Sequence, residues 1–255
     1  MSYELGTMSY EFQGLKFCPV GMEDALKIVT RHIPKKHGDY FCFVNIHLAM
    51  EGLNKTVIRD ILNGSAANFS DGMGVARALK MLGNRFEGRV RGADFMLKLC
   101  EYASKNDLKV FFYGNTEETL VLLSEKLKGL YPGLNIAGAV SPPFRSLTKE
   151  EDDAYVLQIN DSDADVLFVS LGAPRQEKWM AEHKGRIKAV QLGVGAAFSF
   201  LTGKVRQAPL WMQKTYLEWL YRLPQEPKKT IYRMLLVPEF LVRIVMQLIS
   251  RKAHS

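Results

Sequence analysis

Cysteine is scarce in this chain of 255 residues. There are three, Cys18, Cys42 and Cys100, and no two form a C-x-x-C pair. That excludes a disulfide framework and a thiolate zinc site, and makes a reducing compartment the default. Histidine is scarce as well. None of His32, His37, His47, His183 and His254 is spaced as a metal pair. His47 stands near a strand end, and its role stays open at this point. No basic segment followed by an apolar run opens the chain, so a signal peptide is not expected. Long uninterrupted apolar stretches are missing, and mean hydropathy is −0.09, which excludes a polytopic membrane protein.

The common nucleotide fingerprints are also absent. Gly72-x-Gly74 is followed by Arg at position 77, and Gly193-x-Gly195 by Phe at position 198. Neither completes G-x-G-x-x-G, and no Walker A sequence occurs, so a nicotinamide or flavin enzyme is disfavoured. The run Asp161-Ser162-Asp163-Ala164-Asp165 has the appearance of a cation-holding D-x-D. It precedes a strand rather than following one. That places it at the end of the sheet away from the ligand loops, as a solvated turn.

What the chain does have is a core and a rhythm. Apolar residues make up 47% and charged residues 24%, the composition of a globular protein. Strand-like runs at Tyr40–Asn45, Ala67–Ser70, Leu108–Tyr113, Leu134–Val140, Asp165–Leu171 and Ile187–Leu192 are mostly apolar and bounded by turn residues. Such runs suit strands buried on both faces. Between them, Gly21–Ile33, Val57–Asn63, Gly74–Leu82, Ala93–Ser104, Glu117–Leu130, Lys149–Ile159 and Pro174–His183 carry apolar residues three and four apart. Asn115 or Thr116 would cap the helix at Glu117, and Pro174 suits a first helical position. The alternation predicts an α/β fold, a mostly parallel sheet with helices on both faces. In such sheets ligands bind beyond the carboxyl ends of the strands. The segments that follow strands are therefore the candidate site: Asn45-Ile46-His47, Ser70-Asp71-Gly72-Met73-Gly74, Gly114-Asn115, Gly172 to Glu177, and Gly193-Val194-Gly195. Glycine at a helix start lets a phosphate approach the exposed amides.

Charge is unevenly placed. Ten of the 34 basic residues lie from Lys204 onward, against three of the 27 acids. The first 203 residues are therefore neutral, and the whole excess of seven sits in the tail. The tail is also rich in Trp, Tyr, Leu, Ile, Val and Met. The composition breaks near Thr202–Pro209, which divides the chain into 1–203, the α/β domain, and 204–255, a basic amphipathic helical appendage. Basic residues among aromatic and aliphatic ones suit an anionic membrane surface. Arg233, Pro238, Glu239 and Arg243 interrupt any spanning helix. The alternative for the tail is a helical subdomain packed on the core or on another copy, so a homo-oligomer stays open. No nucleic-acid module is recognisable, and nucleic acid is not an expected partner.

Four blocks in order, DGMGVARALKMLG (71–83), DVLFVSLGAPRQEKWM (165–180), GVGAAFSFLTGKVRQAP (193–209) and WMQKTYLEWLYRLPQEPKK (211–229), resemble the bacterial WecG/TagA/CpsF glycosyltransferases. The resemblance runs from about Phe17 to Arg233. It implies a Rossmann-like domain with a C-terminal membrane-associating appendage. It implies an inverting transferase that works without a metal or other cofactor. Such an enzyme moves a hexosyl, N-acetylhexosaminyl or uronosyl group from a UDP-sugar to a polyprenyl-diphosphate-linked saccharide in cell-envelope or exopolysaccharide synthesis. It would act in the cytoplasm, peripheral at the inner face of the cytoplasmic membrane. The alternative is a non-catalytic member that binds nucleotide-sugar or scaffolds an assembly complex.

By the same resemblance, Asp71 is the general base, unless it merely caps the next helix. Asn45 positions donor or acceptor, or caps a helix or turn; Gly72, Gly74, Gly193 and Gly195 shape the loops; Arg89, with Asp94 beside it, neutralises the diphosphate or else forms a surface ion pair. Gln176 contacts the donor, Glu177 orients that loop, and Arg222 closes over the site from the tail in place of a metal. Lys229 and Arg233 are weaker candidates for the same work. There are departures. Phe43-Val44-Asn45 stands where many relatives have Thr-x-Asn, Ser199 where many have Asp, and Ser141 to Arg145 where some have a glycine–aromatic loop.

Overall fold

The structure, a computed structural model, describes residues 9–83, 88–209, 211–212 and 217–252. His254 and the tail residues Lys214 and Tyr216, counted above, lie outside the described residues.

The chain opens with an antiparallel hairpin, β1 (Tyr10–Phe12) and β2 (Leu15–Phe17), then α1 (Met22–His32). There follow β3 (Tyr40–Val44), α2 (Ile46–Asn54), α3 (Thr56–Asn63), β4 (Ala67–Ser70), α4 (Met73–Met81) and α5 (Gly92–Lys105). Next come β5 (Lys109–Gly114), α6 (Glu117–Leu130), β6 (Asn135–Val140), α7 (Lys149–Asp161), β7 (Val166–Ser170), α8 (Arg175–Glu182), β8 (Val190–Gly193) and α9 (Ala197–Leu201). The tail supplies α10 (Glu218–Arg222) and α11 (Pro227–Lys252).

Six strands form one sheet in the order β4-β3-β8-β7-β5-β6, and every pairing in it is parallel. This is the expected α/β architecture. The residues of β3, β4, β7 and β8 are buried throughout. That is why these strands read as continuous apolar runs instead of alternating with polar residues. Alternate side chains still serve opposite faces. Phe112, Phe168 and Phe198 belong to one apolar layer, under α1, α5, α6 and α9. Phe111, Leu167 and Trp179 belong to the other, under α2, α3, α4, α7 and α8. Each fully buried ring or Leu contributes roughly 1.5–3 kcal/mol of transfer free energy, so this double layer dominates the fold's stability.

Local chemistry fixes the helix starts. Thr148 caps α7 in a reciprocal box with Glu151, and Thr116 caps α6. Pro174, expected inside α8, is instead its N-cap residue. Asp163 and Asp165 pair with Lys109 and Lys36, and the Lys109 amide donates to Asp165 at 2.9 Å. These two carboxylates thus brace the amino end of the sheet, away from the strand carboxyl ends.

The tail is not a detached arm. Phe240 and Ile244 of α11 are 1% and 2% exposed and join the same apolar cluster as Phe12, Phe17 and Leu53. The Phe240 ring meets Phe12 edge-on, with centroids 5.8 Å apart. Arg243 donates to Asn54 and Gln13, and Arg251 to the Leu82 carbonyl. On its other side, Leu235, Val242, Val245, Met246 and Ile249 are all more than half exposed. Among the described residues no helix is long and apolar enough to cross a membrane.

Candidate active site

The site gathers at the carboxyl ends of β3, β4 and β8. The Asp71 amide donates to Val44 O, and the Val90 amide donates to Ser70 O, both at 2.9 Å. These bonds pin Asp71 and the Arg89-Val90-Arg91 segment to the same two strand ends. Gly72, with φ +96°, turns the chain into α4, a conformation that costs glycine little.

Asp71 does not cap that helix. The N-cap residue is Gly72, and no side chain accepts a capping bond there. The Asp71 carboxylate is half-buried, and burial pushes its pKa up to about 6. Arg91, Arg222 and Arg89 pull it down by their positive charge, while Glu218 pushes it up. Arg233 feels the field of Asp71 in turn, along with those of Arg222 and Glu218. Two core arginines and two tail arginines thus converge on one carboxylate.

Phe200, in α9, organises part of this cluster. The Arg222 guanidinium carbon lies 4.9 Å from its ring centroid and that of Arg91 lies 5.6 Å away. A cation over a ring face is attracted by the ring quadrupole, and partial burial strengthens the effect. Arg91 is 7% exposed and lies 3.7 Å from Asp94 in the first turn of α5. Arg222 is paired with Glu218 one turn earlier on α10. Beside Phe200, a cavity of about 460 Å³ is lined by Asp94, Arg206, Gln207 and Tyr221 among others.

Other expected residues occupy different roles. Asn45 caps α2, its Oδ1 accepting from the Leu48 amide at 3.1 Å. Gln176 is 2% exposed and its amide is spent inside the protein: Nε2 donates to Gly193 O and Glu177 Oε1, and Oε1 accepts from the Gly195 amide. It staples the loop after β8 from below. Glu177 is fully buried beneath it, and burial raises its pKa to about 7. Gly74 and Gly193 are packing glycines. A Cβ on Gly74 would run into Ile46 Cδ1, and one on Gly193 would meet Met180 Cε at 2.7 Å. Ser199, one of the departures noted in the sequence, accepts from Asn115 Nδ2 at 3.1 Å and so ties α9 to the loop after β5. Lys229 is held by Glu226 at 2.7 Å.

Three contributors escaped the sequence reading: Arg91, Phe200 and Glu218. Arg91 had a signal, because side chains two apart in an extended segment share a side, which pairs it with Arg89. His47 also gains a place. Its ring meets Tyr232 edge-on at 5.8 Å, and burial, then the charge of Arg233, lowers its pKa. It is a neutral contact between α2 and α11.

A family model described as "Glycosyl transferase WecG/TagA/CpsF family" matches residues 10–254. A protein of Bacillus subtilis named N-acetylglucosaminyldiphosphoundecaprenol N-acetyl-beta-D-mannosaminyltransferase is 29% identical over 222 residues, which is 87% of this chain and 84% of the relative. Proteins of the same name from Bacillus spizizenii and Staphylococcus aureus are each 28% identical. The first match covers 85% of this chain and 82% of the relative, the second 72% and 71%.

Proposed function

The chain belongs to the WecG/TagA/CpsF family of glycosyl transferases, and we propose that it is an inverting, metal-independent member. In this reading it moves a sugar from a UDP-sugar to a polyprenyl-diphosphate-linked saccharide at a membrane surface. The observation that carries it is Asp71, a carboxylate at a strand end that does not cap its helix and is ringed by arginines. The relatives' name supports N-acetylmannosaminyl as the first donor group to try and N-acetylglucosaminyl-diphospho-lipid as the first acceptor.

The chemistry follows from the arrangement. Asp71 accepts the proton of an acceptor hydroxyl as that oxygen forms a bond to C1 of the donor sugar. The C1–O bond to the β-phosphate breaks on the opposite face, and UDP departs with the electron pair. Negative charge grows on the leaving diphosphate, where Arg89, Arg91, Arg222 and Arg233 can meet it. Fixed guanidinium groups thereby supply the charge compensation a cation gives in other transferases. Asp71, with its pKa near 6, is ionised at neutral pH yet more basic than an ordinary aspartate. The exposed apolar face of α11, with the basic residues of the tail, supports peripheral contact with an anionic bilayer, where the lipid acceptor resides.

The test is UDP release from a panel of UDP-sugars with a lipid-linked monosaccharide acceptor and EDTA present. Transfer with one donor and β-configured product supports the reading. A strict metal requirement, or an α product, overturns the corresponding part. UDP binding without turnover on any pair favours a binding or scaffold protein.

A further inference from the structure

The arginine cluster encloses a second acid that the reaction above does not use. Glu218 sits on α10 with its carboxylate on Arg222, whose guanidinium lies over Phe200. Glu226, the next acid along, is occupied by Lys229. An i,i+4 pair contributes only a few tenths of a kcal/mol to a helix, and α10 has five residues, so support of the helix alone does not account for this half-buried pair. A negative charge beside a diphosphate site weakens that site unless it serves some other step.

We infer that Glu218 is a positioning residue that stands in for the diphosphate: in the free enzyme it holds Arg222 in place, and it yields Arg222 to the diphosphate when donor binds. The inference rests on the function proposed above. Its geometry is that of an exchange of anions. Arg222 keeps its seat on the Phe200 ring in both states, and only its partner changes, from a carboxylate to a phosphate oxygen. Arg91, on the same ring, marks where that oxygen arrives. Once released, Glu218 remains beside Asp71 and sustains its basicity. Among the described residues, the charged groups facing Asp71 are Arg89 and Arg91 from the segment before α5, Glu218 and Arg222 from α10, and Arg233 from α11.

Glu218→Gln removes the competing anion but keeps the size of the side chain. UDP titrated calorimetrically should bind the variant about three- to tenfold more tightly than the wild type, since one repulsive charge near a multiply charged anion is gone. The turnover number should fall and the acid limb of the rate profile should move to lower pH, because Asp71 loses a neighbour that raised its pKa. Glu218→Asp, with the charge restored, should return that limb toward its wild-type position. Weaker or unchanged UDP binding by Glu218→Gln with an unmoved acid limb would mean that the pair only braces α10, and would overturn the inference alone. A wild-type protein with no affinity for UDP would overturn the proposed function and this inference with it.

Discussion

Asp71→Asn removes one charge at almost constant volume, and its effects on stability and on turnover should run in opposite directions. Burial raises the carboxyl pKa from the ordinary 3.8 to about 6. Each pKa unit is worth about 1.4 kcal/mol, so the gap corresponds to at most about 3 kcal/mol. The sign follows from linkage. With the folded pKa above the unfolded one, the fold binds the proton more tightly than the unfolded chain does. Below about pH 4 both states are protonated and nothing is lost. As pH climbs to about 6 the fold loses stability, and above that the penalty is constant. Asparagine carries no such penalty. At pH 7.5 the variant should therefore be more stable by about 1–3 kcal/mol, which is several degrees in melting temperature for a chain of this size. The gain should fade between about pH 6 and 4. Meanwhile transfer should drop by about 10²- to 10⁴-fold, as expected for a lost general base, with UDP still bound. The wild-type kcat/KM should fall about tenfold per unit below pH 6. Paired melting curves and transfer assays across that range check all of this. A variant that is less stable at pH 7.5 would show that the carboxylate is an essential partner of the arginines. A variant that still turns over would remove Asp71 as the base.

Two further outcomes are expected. Phe240→Ala should cost about 3–5 kcal/mol in urea unfolding, as a buried phenyl in a packed core does. Leu241→Ala, on the exposed side of the same helix, should change it by no more than about 0.5 kcal/mol. Equal and small effects would mean that α11 is a loosely attached arm. Leu235→Glu combined with Ile249→Glu should leave the melting temperature unchanged. It should reduce sedimentation with phosphatidylglycerol vesicles about a hundredfold, because each side chain forfeits roughly 1.5–3 kcal/mol of apolar transfer. Undiminished vesicle binding would move the membrane contact elsewhere.

Much of this was legible in the residues, for identifiable reasons. The predicted strands agree with β3 to β8 to within a residue or two, apart from the last, whose first residues, from Ile187, precede β8. Their apolar runs end at turn residues, and burial on both faces makes such runs long and unmistakable. The hairpin of β1 and β2 went unread. Its strands are three residues each, and its stability comes from packing on α3 and on Phe240 of the far tail. Helix α2 was missed because it starts at Ile46, directly after β3 and the Asn45 cap, with no intervening turn residue. In the site, Asp71 and Arg222 could be named because their blocks are distinctive. Gln176 could be named but not given its role. Whether an amide points up toward a ligand or down into the core depends on the register of α8 on β8, which no linear spacing encodes. Phe200 reads as one more core aromatic, and Glu218 as one more solvated acid, until the fold brings both to Arg222.

The contact between Phe12 and Phe240 has a consequence for how the protein is made. Through Phe12 the hairpin leans on Phe240, which the ribosome supplies more than two hundred residues later. At 5–20 residues per second, the nascent hairpin waits on the order of tens of seconds for its partner. Throughout that interval Phe12 and Phe17 have no α11 to cover them, and Arg222 and Glu218 have not yet reached Asp71. A truncated translation product would therefore carry an unfinished core as well as an unfinished catalytic pocket, so quality control that recognises exposed apolar surface would remove inactive chains without having to test their activity.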